Sequence, residues 1–311
     1  MNITAAQGIL LGYASVTVVI VIGYIARRTG FLDGGAESVL NRVTVYIATP
    51  ALYFALLART DSAVMFSPYA LATVAAVFAG LVLAAIPLVL TRRRRPVSEI
   101  AMLTSMAVNP NSGNIGIPIA IAVLGTSTYL APVIVLQVAV LSPALMMLCT
   151  RNARGRSKGR ALLAAFANPV VISSLAGVAV SFFGVQVPEA VLVPVDLLGN
   201  ASIPLMLLAF GASLRGARPF ADLRGHAVDA WRTIILKVLV LPAVAFGAGI
   251  ALGVSGVPLL ALVIIAALPI AQNIYAVAHT FGVLPAMVRS TIAISTVASL
   301  PAALIAAALL S

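Results

Sequence analysis

Apolar runs long enough to cross a lipid bilayer follow one another along almost this whole chain, with only short polar stretches between them. A spanning helix needs about 20 mostly apolar residues. Ten segments qualify: roughly 8–26, 39–58, 68–90, 97–124, 128–150, 162–184, 190–213, 230–253, 257–281 and 286–310. Of the 311 residues, 62% are apolar and 9% charged, against about 45–50% and about 25% in soluble domains. Such a chain cannot cover a core with polar surface, so lipid must solvate most of its exterior. The predicted fold is all-α and integral to the membrane, with no substantial domain outside it.

The excess of 19 Lys+Arg over 8 Asp+Glu does not point to nucleic acid, because the charges sit in short clusters between the apolar runs. Arg27, Arg28 and Arg42 flank the first loop and Arg92 to Arg95 fill the third. Arg151, Arg154, Arg156, Lys158 and Arg160 fill the fifth; Arg215, Arg218, Arg224 and Arg232 bracket the seventh, and Arg289 marks the ninth. The even loops offer Arg59, beside Asp61. Cytoplasmic loops carry the positive excess, so both termini are expected on the outer face of the plasma (inner) membrane. The first run lacks a basic leader and is followed by Arg27 and Arg28, which reads as a retained span rather than a signal peptide. The lone Cys149 permits no intrachain disulfide, and no Cys/His spacing suggests a metal; no cofactor is expected.

Cut in the fifth loop, the chain falls into two halves, 1–150 and 161–311, joined by the basic loop 151–160. Each half has five spans. Five is odd, so the second half enters the membrane inverted, an arrangement found in many secondary transporters. Sequence echoes accompany the cut. Thr49-Pro50 in the second span matches Ser202-Ile203-Pro204 in the seventh, and Asn114 lies four residues before Pro118 as Pro269 lies four before Asn273.

The fourth span reads Asn109-Pro110-Asn111-Ser112-Gly113-Asn114-Ile115-Gly116-Ile117-Pro118, and the ninth carries Pro269-Ile270-Ala271-Gln272-Asn273-Ile274-Tyr275. Proline removes a backbone donor and glycine weakens a helix. Unwound backbone at membrane depth is tolerated only in a protein interior or a wet cavity. Interrupted spans at matching positions of two halves are the best sequence pointer to a transporter's binding site. Each break frees N–H groups and a positive dipole end, and Pro118 and Pro269 suit the first turns of the resulting half-helices. Asn111, Asn114 and Asn273 add amide donors and acceptors without fixed charge, which suits a carboxylate that must bind and then leave. Candidate substrate-binding residues are therefore Asn111, Ser112, Gly113, Asn114, Gly116, Pro118, Pro269, Gln272, Asn273 and Tyr275.

The order and spacing of these motifs resemble the auxin efflux carrier family over essentially the whole chain. The resemblance rests on Asn111-Ser112-Gly113-Asn114-Ile115-Gly116-Ile117-Pro118, Thr49-Pro50-Ala51-Leu52 and Pro204-Leu205-Met206-Leu207 with Gly211-Ala212-Ser213-Leu214. It also rests on Leu236-Lys237 before Pro242, and on Pro269, Asn273, Tyr275, Ala278 and Gly282. It implies ten helices in two inverted five-helix repeats whose fourth and ninth helices cross at their prolines. A scaffold of helices 1, 2, 6 and 7 would form a homodimer, while helices 3–5 and 8–10 would move like an elevator. The implied substrates are organic anions: auxin for plant members, malate- or malonate-like carboxylates for many bacterial ones. The short central loop gives this chain the compact, bacterial form. The family pattern also places Gln137 near the site.

Two charged residues in the spans remain. Lys237, about two turns into the eighth span, can snorkel towards an interface or act electrostatically on an anion. Asp196, about two turns into the seventh, is a candidate coupling carboxylate. The competing reading is a sodium- or proton-coupled carrier of the bile-acid symporter or sodium/proton antiporter type. Asn109–Pro118 and Ala267–Tyr275 contain no Asp or Glu, which counts against cation transport, although carbonyls, Asn, Gln and Ser can bind sodium. No Ser/His/Asp set points to an enzyme.

Overall fold

The computed structural model describes residues 5–90, 95–150, 167–216, 218 and 220–310. The basic clusters at 92–94 and 151–160 and the start of the sixth apolar run lie outside the described residues. The helices in chain order are α1 (Gln7–Arg28), α2 (Ala36–Ala58), α3 (Ser62–Leu90), α4 (Val97–Val108), α5 (Ser112–Leu124), α6 (Thr128–Cys149), α7 (Pro169–Phe182), α8 (Glu189–Ser213), α9 (Ala227–Ala251), α10 (Gly256–Ala267), α11 (Asn273–Phe281) and α12 (Pro285–Leu310). Seven of them (α1, α2, α3, α6, α8, α9 and α12) are long and apolar enough to cross a bilayer, and α4, α5, α7 and α10 are shorter apolar helices. The protein is an all-helical, multi-pass membrane protein.

Local chemistry sets the helix ends. Asn168 caps α7, its Oδ1 accepting the Val170 N–H at 2.9 Å, with Pro169 at the first helical position, where its missing N–H costs nothing. The second halves of the two interrupted runs, α5 and α11, both stop on a left-handed glycine, Gly125 (φ 70°) and Gly282 (φ 66°), a conformation that strongly favours glycine.

Proline shapes the helix interiors in a repeated way. Widened, π-helical turns occupy Thr44–Ala48, Ser112–Gly116, Gln137–Leu141 and Leu236–Val240. A proline follows each at the same offset: Pro50, Pro118, Pro143 and Pro242. A proline ring pushes against the carbonyl four residues earlier and offers no N–H, and in each case that carbonyl lies at the middle of the widened turn. Such turns occur frequently at functional sites, and Asn114, Gln137 and Lys237 all lie in them.

The helices pack as two groups. In one, α2 packs on α7 and α8, and α1 on the C-terminal half of α8. Glycine permits the closest approaches: a Cβ on Gly23 or Gly211 would overlap the Leu208 or Ile20 carbonyl, respectively. In the other group α3, α4, α6, α9, α10 and α12 pack around one another, with α11 on α12. Leu259 to Ala267 of α10 are all buried, as expected of a helix apolar on every side. The groups meet where α1 packs on α5 and α12, and Tyr13 Oη donates to Ser299 Oγ at 2.8 Å across that seam.

Candidate functional site

The two interrupted runs cross at their breaks. Between α4 and α5, and between α10 and α11, the chain is briefly extended, and Pro110 pairs with Ile270 as an antiparallel bridge. The Asn111 N–H donates to the Pro269 carbonyl at 2.8 Å and the Ala271 N–H to the Asn109 carbonyl at 3.0 Å. The Ile270 N–H donates to Ser295 Oγ of α12 at 3.2 Å. Gln137 Nε2 donates to the Pro110 carbonyl at 2.6 Å. Unwound backbone inside a membrane protein needs such partners, since no water is there to replace them.

Around this bridge lies a chain of buried amides. Asn111 is 3% exposed, Gln272 5% and Asn114 8%. Asn111 Oδ1 accepts the Asn114 N–H at 3.3 Å, and Asn114 Nδ2 donates to Gln272 Oε1 at 3.2 Å. Those bonds fix which end of each amide is left over: Asn111 Nδ2 and Gln272 Nε2 are buried without a partner. Leaving a buried donor unsatisfied costs about 1–3 kcal/mol, so two at one place call for an acceptor supplied from outside the protein.

The other expected residues take different positions. Ser112 is buried and bonds back to the Pro110 carbonyl. Gly113 lies under the Tyr53 hydroxyl: a Cβ there would stand 2.6 Å from Tyr53 Oη. Gly116 admits Leu268 of the opposite break, whose Cδ1 would be 2.9 Å from an added Cβ. Pro118 occupies the first turn of regular helix after the widened turn. Pro269 does not begin a half-helix, contrary to expectation. It lies in the extended break, where its carbonyl serves the bridge and α11 begins only at Asn273. Asn273 is exposed and outside the amide chain; its neighbour Gln272 takes the inward position. Tyr275 is half-buried, a turn away, with its ring 6.1 Å from that of His279.

The charges separate clearly. Asp196 makes a bidentate pair with Arg59, both bonds 2.6 Å, joining α8 to the end of α2. Arg95 pairs with Asp229 at 2.6 Å and Arg289 with Asp222 at 3.0 Å. Burial raises the Asp222 carboxyl, but hydrogen bonds from Arg289, Ser290 and the Arg218 N–H outweigh it and hold the group below the ordinary carboxylate value. Lys237 does not snorkel: it is 0% exposed, the largest fully buried side chain among the described residues, and its Nζ donates to the carbonyl of Ala266 at the end of α10.

The N-termini of α5 and α11 and the C-termini of α4 and α10 all end at the crossing. Their dipoles contribute about +0.5 and −0.5 charge apiece and so largely cancel. Lys237 Nζ is placed on one of the negative ends, that of α10.

The model of the family described as "Membrane transport protein" matches residues 9–306. The chain belongs to this family, that of the auxin efflux carriers. Relatives carry transporter names. A "Putative malonate transporter" of Rhizobium meliloti (strain 1021) is 28% identical over 299 residues, covering 90% of this chain and 89% of the relative. An "Uncharacterized transporter" of Methanothermobacter thermautotrophicus is 28% identical over 287 residues, covering 92% and 93%. The auxin efflux carrier family is one of membrane transporters, not enzymes.

Sequence reasoning passed over Tyr53, Ser295 and Asn109. Asn109 Nδ2 donates to the Ser105 carbonyl and to Ser105 Oγ, capping α4 at the break. A signal for Ser295 was available: Thr291, Ser295 and Ser299 recur every four residues along α12, which places them on one face.

The Arg59–Asp196 pair, with side chains 50% and 35% exposed, has the properties of an exposed ion pair worth about 0–1 kcal/mol. Asp196→Asn is expected to retain transport within about twofold and to shift melting by no more than a few degrees. Loss of transport in a folded Asp196→Asn protein would restore it as a coupling carboxylate.

Proposed function

We propose that this member of the family is a carrier of small organic anions, carboxylates of the malate, malonate or auxin-like kind, working by alternating access of the elevator type. The observation that carries the reading is the pair of buried amide donors without acceptors, Asn111 Nδ2 and Gln272 Nε2, at a crossing where Lys237 caps the end of α10. A carboxylate offers two oxygens with about four acceptor positions and satisfies both donors at once. A cation would find N–H groups aimed at it. The malonate named for the Rhizobium meliloti relative falls in the same chemical class.

In this reading ten segments span the plasma membrane, α4 with α5 and α10 with α11 each forming one interrupted span, and both termini lie outside. The two five-span repeats are inverted. The contact between their echo motifs supports this, with Thr49 Oγ1 2.8 Å from Ser202 Oγ. The group α1, α2, α7 and α8 serves as scaffold and homodimer interface, and the remaining helices form the moving unit.

Uptake by proteoliposomes of labelled mono- and dicarboxylates, under imposed voltage, sodium and pH gradients, tests the reading. Carboxylate uptake without a sodium requirement is expected. Uptake that appears only with sodium, or transport of cations instead, would replace it with the cation-coupled alternative.

A further inference from the structure

The hydroxyl of Tyr53 reaches the crossing from the other helix group, over Gly113. Tyr53 lies one helical turn after Thr49 on α2, half-buried. Its ring packs over Gly113: a Cβ at that position would be 2.6 Å from Oη and 3.4 Å from Cε1 and Cζ. The lack of a side chain at 113 is therefore what lets the phenol in. Among the described residues Tyr53 Oη makes no hydrogen bond, which leaves its O–H free to donate. Gly113 lies between Asn111 and Asn114, so the Tyr53 hydroxyl reaches the same short stretch of chain as the unpartnered Asn111 Nδ2.

Resting on the anion reading above, we propose that Tyr53 is the third hydrogen-bond donor to the substrate and the residue that selects carboxylates bearing a second acceptor group. The amides of α5 and α11 hold one carboxylate at the crossing. The far end of the ligand then faces α2, where the phenol donates to its second carboxylate. Because Tyr53 belongs to the scaffold group and the amides to the moving unit, this bond exists only while Gly113 lies under the ring. The ligand is read at that position and released from the contact when the unit slides. A site built to hydrogen-bond a ligand group discriminates strongly against analogues that lack it.

The experiment measures inhibition constants of malonate and propionate in proteoliposomes for wild type, Tyr53→Phe, Asn111→Ala, Gly113→Ala and the Gly113→Ala/Tyr53→Phe double variant. Tyr53→Phe keeps the ring and removes one donor to a charged group. It is expected to weaken malonate about tenfold and to narrow the malonate-over-propionate preference by a similar factor. Asn111→Ala is expected to weaken both ligands together, leaving the preference near its wild-type value. Gly113→Ala is expected to lose transport through collision with Oη, and Tyr53→Phe should restore it, since the nearest remaining ring atoms are at van der Waals distance. An unchanged malonate-over-propionate ratio in Tyr53→Phe overturns the proposal while Asn111→Ala still upholds the anion site. A fully active Gly113→Ala single variant overturns it as well. Failure of Asn111→Ala to affect either ligand, or of wild type to bind either, rejects the anion reading itself.

Discussion

Asn114→Asp is expected to abolish carboxylate uptake, whereas Asn114→Ala should weaken binding by roughly two- to tenfold. The difference follows from what each substitution does to Gln272. Asn114 Nδ2 holds Gln272 Oε1 at 3.2 Å and so leaves Gln272 Nε2 free. Alanine removes that hold but leaves both free donors in place, and losing a neutral hydrogen bond costs about 0.5–1.5 kcal/mol. Aspartate has no N–H to give. The Gln272 amide must turn its N–H towards the new carboxylate and its carbonyl oxygen towards the ligand. The site then loses a donor, gains an opposed acceptor and carries a negative charge against an anion. Ligand binding to purified protein, measured beside proteoliposome uptake, checks the order wild type, Ala, Asp. Tolerance of Asp, or tighter binding with it, would make the crossing a cation site and sink the assigned substrate class.

Lys237→Met should leave a protein that inserts and folds but binds malonate at least ten- to thirtyfold more weakly. Burying an ammonium costs several kcal/mol in desolvation, and methionine of similar length removes that cost while keeping the volume. Stability is therefore expected to hold or rise, offset in part by the Ala266 carbonyl losing its donor. Binding responds differently. In an effective dielectric of about 20 a unit charge is worth roughly 1.5–4 kcal/mol to a nearby anion, and without it the dipoles at the crossing again cancel. Melting temperature and malonate affinity of the same preparation separate the two effects. Wild-type affinity in a stable Met variant would show that Lys237 serves the packing of α10 alone.

Much of this was legible in the chain. Apolar runs of spanning length dictated helices in lipid, because only helices and closed barrels satisfy their own backbone there. The breaker clusters placed the interruptions at Asn109–Asn111 and Leu268–Gln272 to within a few residues, because proline and glycine act on the backbone next to them. Asn111 and Asn114 belong to one short segment, so their proximity needed no tertiary information.

What the fold alone decided is which of two adjacent side chains faces inward, and what lies across from it. Gln272 (φ −68°, ψ −27°) and Asn273 open α11 in helical conformation, where successive side chains point about 100° apart. How α11 is rotated about its axis where it leaves the Pro110–Ile270 bridge therefore chooses between them. Sequence spacing treats the two amides as equivalent; the bridge buries Gln272 against Asn114, 158 positions away, and leaves Asn273 exposed. Asp196 meeting Arg59, Lys237 meeting Ala266 and Tyr53 meeting Gly113 are contacts of the same kind. Each depends on how far one helix lies along another, a distance set by the packing of many apolar side chains and glycines. No local pattern of residues encodes it.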